Sequence, residues 1–294
     1  MEPALGRMVL LGVMFKCLDP ILILASMQGQ TNFYVNPIDR SVEMKNSIRS
    51  AMALGQPSDH FGQLNAYREW RYLSATRGKQ DGFAYAWDNL LHMGALSTIQ
   101  KTSEQLLQML VDWGMVKDIP VDLRYNHELG DPDLNVNSDV QPLISSLLAA
   151  GLQPNIAVQM NPMLLQTHTD AKALIHPTSI NSNAGNAKVA REDKYIGAGP
   201  PGTIVLYSNK TFSHGGMFLR ETSVIGPTTS LMFGGTVSRT DEKDVVNLNG
   251  WLPMVFEPGV SEPFLQLIEC LNKVPNLLRC GAKFASIWVG LGQG

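Results

Sequence analysis

The hydrophobic period changes at Pro154, and that change constrains the fold more than any other feature. Upstream, apolar residues recur at helical spacing or fill whole segments; downstream they come in short β-prone runs parted by Gly, Pro and Asn. A helical block followed by a strand block predicts an α+β chain rather than alternating βαβ units. Residues 4–16 and 21–27 are apolar on nearly every face, which predicts two helices at the centre of a bundle, broken at Asp19-Pro20. Residues 42–54 read as an amphipathic helix with Val42, Met44, Ile48, Ala51 and Met52 inward. Ser58 or Asp59 caps a long helix to about Thr76, closed by Gly78, and a shorter helix follows over 81–92. Ser97 is the expected cap of the next, whose Ile99, Leu106, Leu107, Leu110 and Val111 keep a helical period up to Trp113. The polar, turn-rich stretch 117–137 reads as a surface loop, after which Ser138 caps Val140 to Ala150 and Gly151 ends it.

Beyond Pro154 the expected strands are 156–160, 171–176, 203–207, 217–223, 230–237 and 245–256, enough for a small barrel. Pro263 to Leu278 returns to a helical pattern, with Pro275 bending or ending it, and 285–294 is apolar and glycine-rich.

Composition narrows the function classes. The chain has 294 residues, 44% hydrophobic and 17% charged, enough for one or two domains with real cores. A net charge of −3 excludes a protein whose whole surface attracts polyanions. The balance is uneven, however: residues 1–150 carry 12 basic and 16 acidic groups, whereas 151–220 carry 6 basic and 3 acidic, so a nucleic-acid face is expected in the second half. Cys17, Cys270 and Cys280 have neither the even count of a disulfide framework nor metal-ligand spacing, which points to a reducing compartment. Met8 to Met27 is long enough to span a bilayer, but Lys16, Asp19 and Pro20 in its middle argue against insertion, and the start does not read as a signal peptide.

Motifs for chemistry are scarce. No Gly-rich loop ends in Lys-Ser/Thr, so a phosphate-cradling ATPase loop is missing. Gly197-Ala-Gly199-Pro-Pro-Gly202 has the glycine spacing of a dinucleotide loop, but a strand-like run follows where a helix is needed. His168, Asp170 and His176 straddle a turn without a fourth ligand, and no nucleophile elbow occurs. Asp241, Glu242, Lys243 and Asp244 read as a solvated hairpin turn. Asn209-Lys-Thr211 is a chance glycosylation sequon, and the 14 methionines spread over several helices as core fillers. In Tyr67-Arg-Glu-Trp70-Arg71-Tyr72, aromatic and basic residues alternate on a helix, which reads first as an aromatic core face with arginines outward.

Several blocks, in order, resemble the C-terminal region of DEAH/RHA-type (DExH-box) RNA helicases. They are Glu2-Pro-Ala-Leu-Gly-Arg-Met8 running into Cys17-Leu-Asp-Pro20; Ser58-Asp-His60 with Asn65-Ala-Tyr67 and Trp70; Asn137-Ser-Asp139 leading to Ala150-Gly-Leu-Gln-Pro-Asn-Ile-Ala157; His176-Pro-Thr-Ser-Ile-Asn181; Leu219-Arg-Glu-Thr-Ser223 with Leu231-Met-Phe-Gly-Gly235; and Asn249-Gly-Trp251. The resemblance implies a helical ratchet-like, helicase-associated domain over 1–150, an OB-fold over 151–258 and a C-terminal helical extension over 259–294. The chain departs from the pattern in its long Asn183 to Pro201 loop, and in Tyr207-Ser-Asn-Lys210, which keeps Tyr and Lys but loses the usual acidic neighbour.

The resemblance further implies an accessory single-stranded RNA-binding and regulatory module that lines the RNA channel of a larger ATP-dependent helicase. This chain would be a fragment or separately encoded tail of it. ATP and magnesium would belong to the parent's motor domains, and no catalytic residue, cofactor or metal is expected in this chain. The RNA-contacting residues it points to are Asp59, His60, Asn65 and Tyr67 at the start of the long helix, and Lys172, His176, Thr178, Ser179, Tyr207, Lys210 and Arg220 in the barrel. Expected partners are single-stranded or structured RNA, the motor domains, and a ribosome or regulatory protein, with no membrane; the expected location is intracellular, in the cytoplasm or else the nucleus. The alternative is a protein-docking module with little RNA affinity, presenting its apolar first helices and C-terminal helix to the motor domains, a ribosome or an activating partner.

Overall fold

Two apolar helices form a hairpin at the centre of the computed structural model, which describes residues 2–29, 32–120, 127–182, 199–213 and 215–270. They are α1 (Pro3–Met14) and α2 (Leu18–Met27), and all ten residues of α2 are buried. The break falls at Phe15 to Cys17, where Lys16 turns left-handed with φ 56°, and not at Asp19-Pro20. Pro20 lies in the first turn of α2, where a backbone N–H has no helical partner to lose. The hairpin closes tightly: a Cβ on Gly12 would lie 2.9 Å from Ile21 Cγ2 and 3.0 Å from its Cβ. Gly12→Ala is therefore expected to cost about 1–3 kcal/mol by overpacking, read as a lower urea midpoint. An unchanged midpoint would mean that the crossing yields without strain.

Around this hairpin pack α3 (Val42–Met52), α4 (Asp59–Thr76), α5 (Lys79–Asp88), α6 (Met93–Asp112) and α7 (Gln141–Leu152). In α3 the expected inward face is only partly right: Val42 lies outside the described side chains, Met44 and Ala51 are exposed, Ile48 and Met52 are half-buried, and among the described side chains of the helix the buried one is Arg49. Ser58 caps α4 as expected, its Oγ accepting the Phe61 N–H at 3.1 Å, and the chain leaves past Gly78 with φ 107°. α6 starts at Met93, ahead of the expected Ser97 cap, because the Nδ1 of His92 accepts the Ala95 N–H at 3.1 Å. The stretch expected as a surface loop contributes to the interior, with Leu129, Gly130 and Asn135 buried beside a 3-10 turn at Pro132–Leu134. Ser138 does not cap α7; its hydroxyl donates to Asn135 Oδ1 at 3.1 Å, and Gly151 lies within the helix against Met8.

The barrel consists of β1 (Ile156–Gln159), β2 (Leu165–Thr167), β3 (Leu174–Ile175), β4 (Ile204–Ser213) and β5 (Gly216–Ile225). Their order is β2-β1-β4-β5-β3, antiparallel except for the parallel β3–β5 pair. A further antiparallel bridge, Leu165 to Ala173, ties β2 back to the residue entering β3, so the sheet curls into a ring of order β1-β2-β3-β5-β4. Ala157, Leu165, Ala173, Val205, Tyr207 and Leu219 make its small interior. The opposite faces of β1 and β4, Ile156, Val158, Ile204 and Leu206, join the helical core. Burial on both faces explains why these strands read as unbroken apolar runs.

Part of the expected strand 230–237 is instead the helix α8 (Pro227–Phe233), opened by Pro227 where its ring suits the first helical position. A second sheet follows, β6 (Val237–Arg239), β7 (Val245–Leu248) and β8 (Leu252–Val255), with the acidic 241–244 stretch between β6 and β7 as expected. Residues 261–270 are helical, and Leu265 joins the main core. That core is continuous from α1 and α2 through α7 into β1, β4 and β7, and the expected boundary at 150/151 falls inside the last turn of α7. The Asn183 to Pro201 loop up to residue 198, with Lys188, Arg191, Lys194 and Gly197, lies outside the described residues, as do Pro275, Cys280 and 285–294. Among the described residues no helix is long and apolar enough to cross a membrane.

Candidate nucleic-acid interface

Of the residues expected at the start of α4, Asp59 and His60 are turned into the interior, where they join the helices to the barrel, while Asn65 and Tyr67 serve the helical part. The segment preceding α4 pairs with β5: Val224 N–H donates to the Pro57 carbonyl at 2.9 Å, and Ser58 bridges Ser223. Asp59 is buried, and its carboxylate accepts the backbone N–H groups of Ile180 and Thr222 at 2.9 and 2.8 Å. Burial raises its pKa, against the opposing pull of hydrogen bonds from Ser179, Ile180 and Thr222 and of the Arg49 charge.

His60 is 1% exposed and stands between two hydroxyls, Nδ1 at 2.6 Å from Ser223 Oγ and Nε2 at 2.8 Å from Ser208 Oγ. Ser208 donates its proton to Gln28 Oε1 at 3.2 Å, so it receives one from His60 Nε2–H. His60 Nδ1 then accepts from Ser223, which in turn accepts from Ser58 at 2.6 Å. The resulting chain needs a neutral imidazole, and burial agrees, pushing the His60 pKa down to about 4. Asn65 donates to the Met52 carbonyl at 3.0 Å and fixes α3 to α4. Tyr67 is buried in the helical core beside Trp70, with ring centroids 5.6 Å apart. Ser179 and Tyr207 are buried too, Ser179 against Thr222 at 2.8 Å and Tyr207 inside the barrel. Of the expected residues, these six carry the fold where they stand.

The arginines of the Tyr67 to Tyr72 stretch turn inward rather than to solvent. Asp19 is 0% exposed, and Arg71 meets it with two hydrogen bonds of 2.7 and 3.0 Å, while Arg68 adds a third at 3.3 Å. The Leu129 N–H completes the set at 2.9 Å. Burial works to raise the Asp19 pKa, but the charge and hydrogen bonds of Arg71, with Arg68 and Leu129, outweigh it and hold the carboxyl below its usual range. No local signal marks Asp19 as the centre of this cluster, because its partners lie 49 to 110 residues away.

The solvent-facing group of expected residues lies on the β4–β5 hairpin and the turn after β3. Arg220 pairs with Asn209 across the hairpin, and Phe218 with Thr211 two positions further, which sets all four on one face. Arg220 Nη2 lies 2.9 Å from His176 Nε2, and His176 Nδ1 faces Thr178, 2.7 Å from its Oγ1 and 3.2 Å from its backbone N–H. Burial first, then the charges of Arg220 and Arg49, lower the His176 pKa and keep it neutral. The His176 ring meets Phe218 edge-on at 5.9 Å, and Arg49 supports the turn from behind by donating to the Thr178 carbonyl at 2.7 Å. Lys210 reaches Asp170 and Thr169 at 2.7 and 2.6 Å, and Lys172 is exposed beside them. The Lys210 hydrogen bond pulls the Asp170 pKa down to about 2. Asp170 is thereby tied to Lys210, and among the described residues no group of acidic, His and Cys side chains is arranged to hold a metal. Phe212 stands 70% exposed near the hairpin tip. Phe212, Phe218 and Arg49 were not among the residues expected from sequence; an alternating aromatic and basic pattern in Lys210-Thr-Phe212 and Phe218-Leu-Arg220 was the available signal.

Residues 2–77 match the family described as helicase associated domain (HA2), ratchet-like. The chain is 26% identical over 264 residues to the ATP-dependent DNA/RNA helicase DHX36 of Bos taurus, covering 85% of this chain and 23% of that protein. It is 22% identical over 277 residues to the DExH-box ATP-dependent RNA helicase DExH3 of Arabidopsis thaliana, covering 93% and 21%. It is 24% identical over 279 residues to the ATP-dependent RNA helicase DHX29 of Homo sapiens, covering 92% and 19%. The chain thus spans about a quarter or less of the length of these curated relatives.

Proposed function

We propose that this chain, homologous over most of its length to the DEAH-box RNA helicases and carrying their ratchet-like domain, is an accessory module that holds single-stranded RNA for motor domains. In the relatives, whose names describe ATP-dependent helicases, the matched part is a fraction of the protein; ATP hydrolysis would belong to the rest. The observation that carries the reading is the cluster of Arg220, His176 and Phe218 on the outer face of the β4–β5 hairpin, with Lys210 and Phe212 on the hairpin's other face and Lys172 exposed before β3. Cations beside the exposed Phe212 ring and the half-buried Phe218 and His176 rings suit phosphates and base faces rather than base edges, so sequence preference would be weak. The strand ring β1-β2-β3-β5-β4, with β3 parallel to β5, supports reading the barrel as an OB-fold, a frame that commonly binds single strands. Of the alternative docking surface formed by the first helices and the C-terminal helix, α2 is wholly buried and offers nothing to a partner.

Fluorescence anisotropy with a labelled single-stranded RNA, over a salt series, tests the reading. Reversing Lys172, Lys210 and Arg220 to Glu together is expected to weaken binding more than about tenfold and to lower the salt slope by about 2, as three lost phosphate contacts require. Equal affinity for the parent chain and the triple variant, or no binding at low salt, would sink the RNA-holding role and leave protein docking as the better account.

A further inference from the structure

The outer cluster of the barrel is joined to the helical part by a chain of short contacts. Arg49, in the last turn of α3, is 8% exposed, and its Nη1 donates to the Thr178 carbonyl at 2.7 Å. Thr178 Oγ1 lies 2.7 Å from His176 Nδ1, and His176 Nε2 lies 2.9 Å from Arg220 Nη2. The His176 ring in turn meets Phe218 edge-on. Arg49, Thr178 and His176 thus lead, link by link, from α3 to the two β5 residues on which the RNA-holding reading rests.

Packing alone does not call for a cation at Arg49. Among the described residues it has no carboxylate in ion-pair contact, and burial works against its charge. What offsets that cost is the charge-assisted bond to Thr178 and the Tyr34 ring, whose centroid lies 5.1 Å from the guanidinium carbon. Tyr34 is itself bridged to Leu91 in the link between α5 and α6, and Asn65 of α4 holds the end of α3 through the Met52 carbonyl. Several helical elements therefore fix where Arg49 stands.

The same side of the barrel is held at a second point. One Asp59 carboxylate oxygen accepts the Ile180 N–H and the other the Thr222 N–H, so a single side chain of α4 ties the turn after β3 to β5. Arg220 and Thr222 would share a face in a regular strand, yet Arg220 is exposed and Thr222 is 0% exposed. Glu221 between them turns left-handed with φ 52°, and Gln63 of α4 donates to its carboxylate at 3.4 Å. Strain of this kind persists where the surroundings over-determine it, and here it turns Arg220 outward.

We propose that Arg49 is a positioning residue for single-strand binding, setting the place of Thr178, His176 and Arg220 on the outer face without touching RNA itself. The proposal rests on the RNA-holding reading of that face and gives the helical part control over its affinity.

Anisotropy of the full chain with a labelled single-stranded RNA tests this. Arg49→Met fills similar space without charge or donor and is expected to weaken binding about fivefold, the loss of one hydrogen bond, at an unchanged salt slope because no phosphate contact goes. Arg49→Lys keeps the cation and a donor and is expected to stay within about twofold of the parent, since one carbonyl does not need the planar fork. Thr178→Val cuts the next link, at an exposed residue, and the double variant is expected to lose no more than either single one. In the RNA-free chain the His176 ring resonances, identified with His176→Gln, move in Arg49→Met and stay in place in Arg49→Lys. Parent-like affinity in Arg49→Met, or losses that add in the double variant, overturns the positioning role and leaves the barrel reading intact. A lower salt slope in Arg49→Met overturns it as well, by making Arg49 a phosphate contact. Where Arg49→Met loses its fold, parent-like affinity in Thr178→Val overturns the role. A parent chain that binds no RNA sinks the barrel reading itself, and the positioning role with it.

Discussion

Asp19→Ala is expected to destabilise the chain by about 3–5 kcal/mol, because it leaves a buried guanidinium without its counter-charge. Arg71 is 12% exposed at its side chain and directs two hydrogen bonds to Asp19, and Leu129 N–H and Arg68 would lose an acceptor at the same time. Urea unfolding should register the loss as a lower midpoint, and a thermal scan as a fall of roughly 10 °C. Asp139 provides the control. It too meets Arg68, at 3.3 Å, but is 97% exposed, so Asp139→Ala is expected to stay within about 0.5 kcal/mol. Comparable losses in the two variants would mean that the Asp19 cluster is no more than a surface pair. Since the folded Asp19 pKa is depressed, its contribution is present above the ordinary aspartate value and disappears as pH falls through the folded value.

The second large effect is a loss of stability on mild acidification, traced to His60. The folded chain holds His60 neutral down to about pH 4, whereas the unfolded chain takes up the proton near the ordinary value of 6.5. Between these values the unfolded state binds more protons, so stability falls as pH falls, by roughly 3 kcal/mol over the window. Asp59 acts in the opposite sense: its raised folded pKa means that the buried carboxylate is relieved by protonation as pH drops. His176, also lowered, adds to the His60 direction. Unfolding free energies at pH 7, 5.5 and 4.5 are therefore expected to slope downward, less steeply in His60→Gln and more steeply in Asp59→Asn. If His60→Gln keeps the full slope, the serine–histidine chain between α4 and the barrel does not control acid stability.

Much of the fold was legible because its signals are local. The apolar faces of α1 and α2, the Ser58 cap of α4 with its Gly78 exit, and the unbroken runs of β1 and β4 each reflect a backbone period or a cap within a few residues. The errors arose where a local rule met a tertiary demand. Asp19-Pro20 reads as a break, but a proline in the first turn costs no helical hydrogen bond, and Asp19 is held there by Arg68, Arg71 and Leu129. Ser97 reads as a cap, but His92 supplies one earlier. Ser230 to Val237 reads as a strand, but Pro227 starts a helix that packs on α7. The three residues of β2 are too few to carry a period, and only their pairing with β1 and Ala173 makes them a strand.

The candidate site divides along the same line. The order of the blocks from Glu2 to Trp251 placed the chain beside the RNA helicases, and that resemblance singled out Asp59, His60, Lys210 and Arg220. Only the tertiary structure decided which of these face solvent. Asp59 and His60 are turned inward by Thr222, Ser223 and Ser208, which lie 148 to 163 residues away, while Arg220 is turned outward to His176, 44 residues away. The sequence by itself determined the helix-then-barrel plan, because hydrophobic period and capping act within a turn or a strand. It did not determine the buried Asp19 cluster or the neutral His60 chain. Burial and hydrogen-bond partnership depend on which distant segments the core brings together, and no local spacing records that.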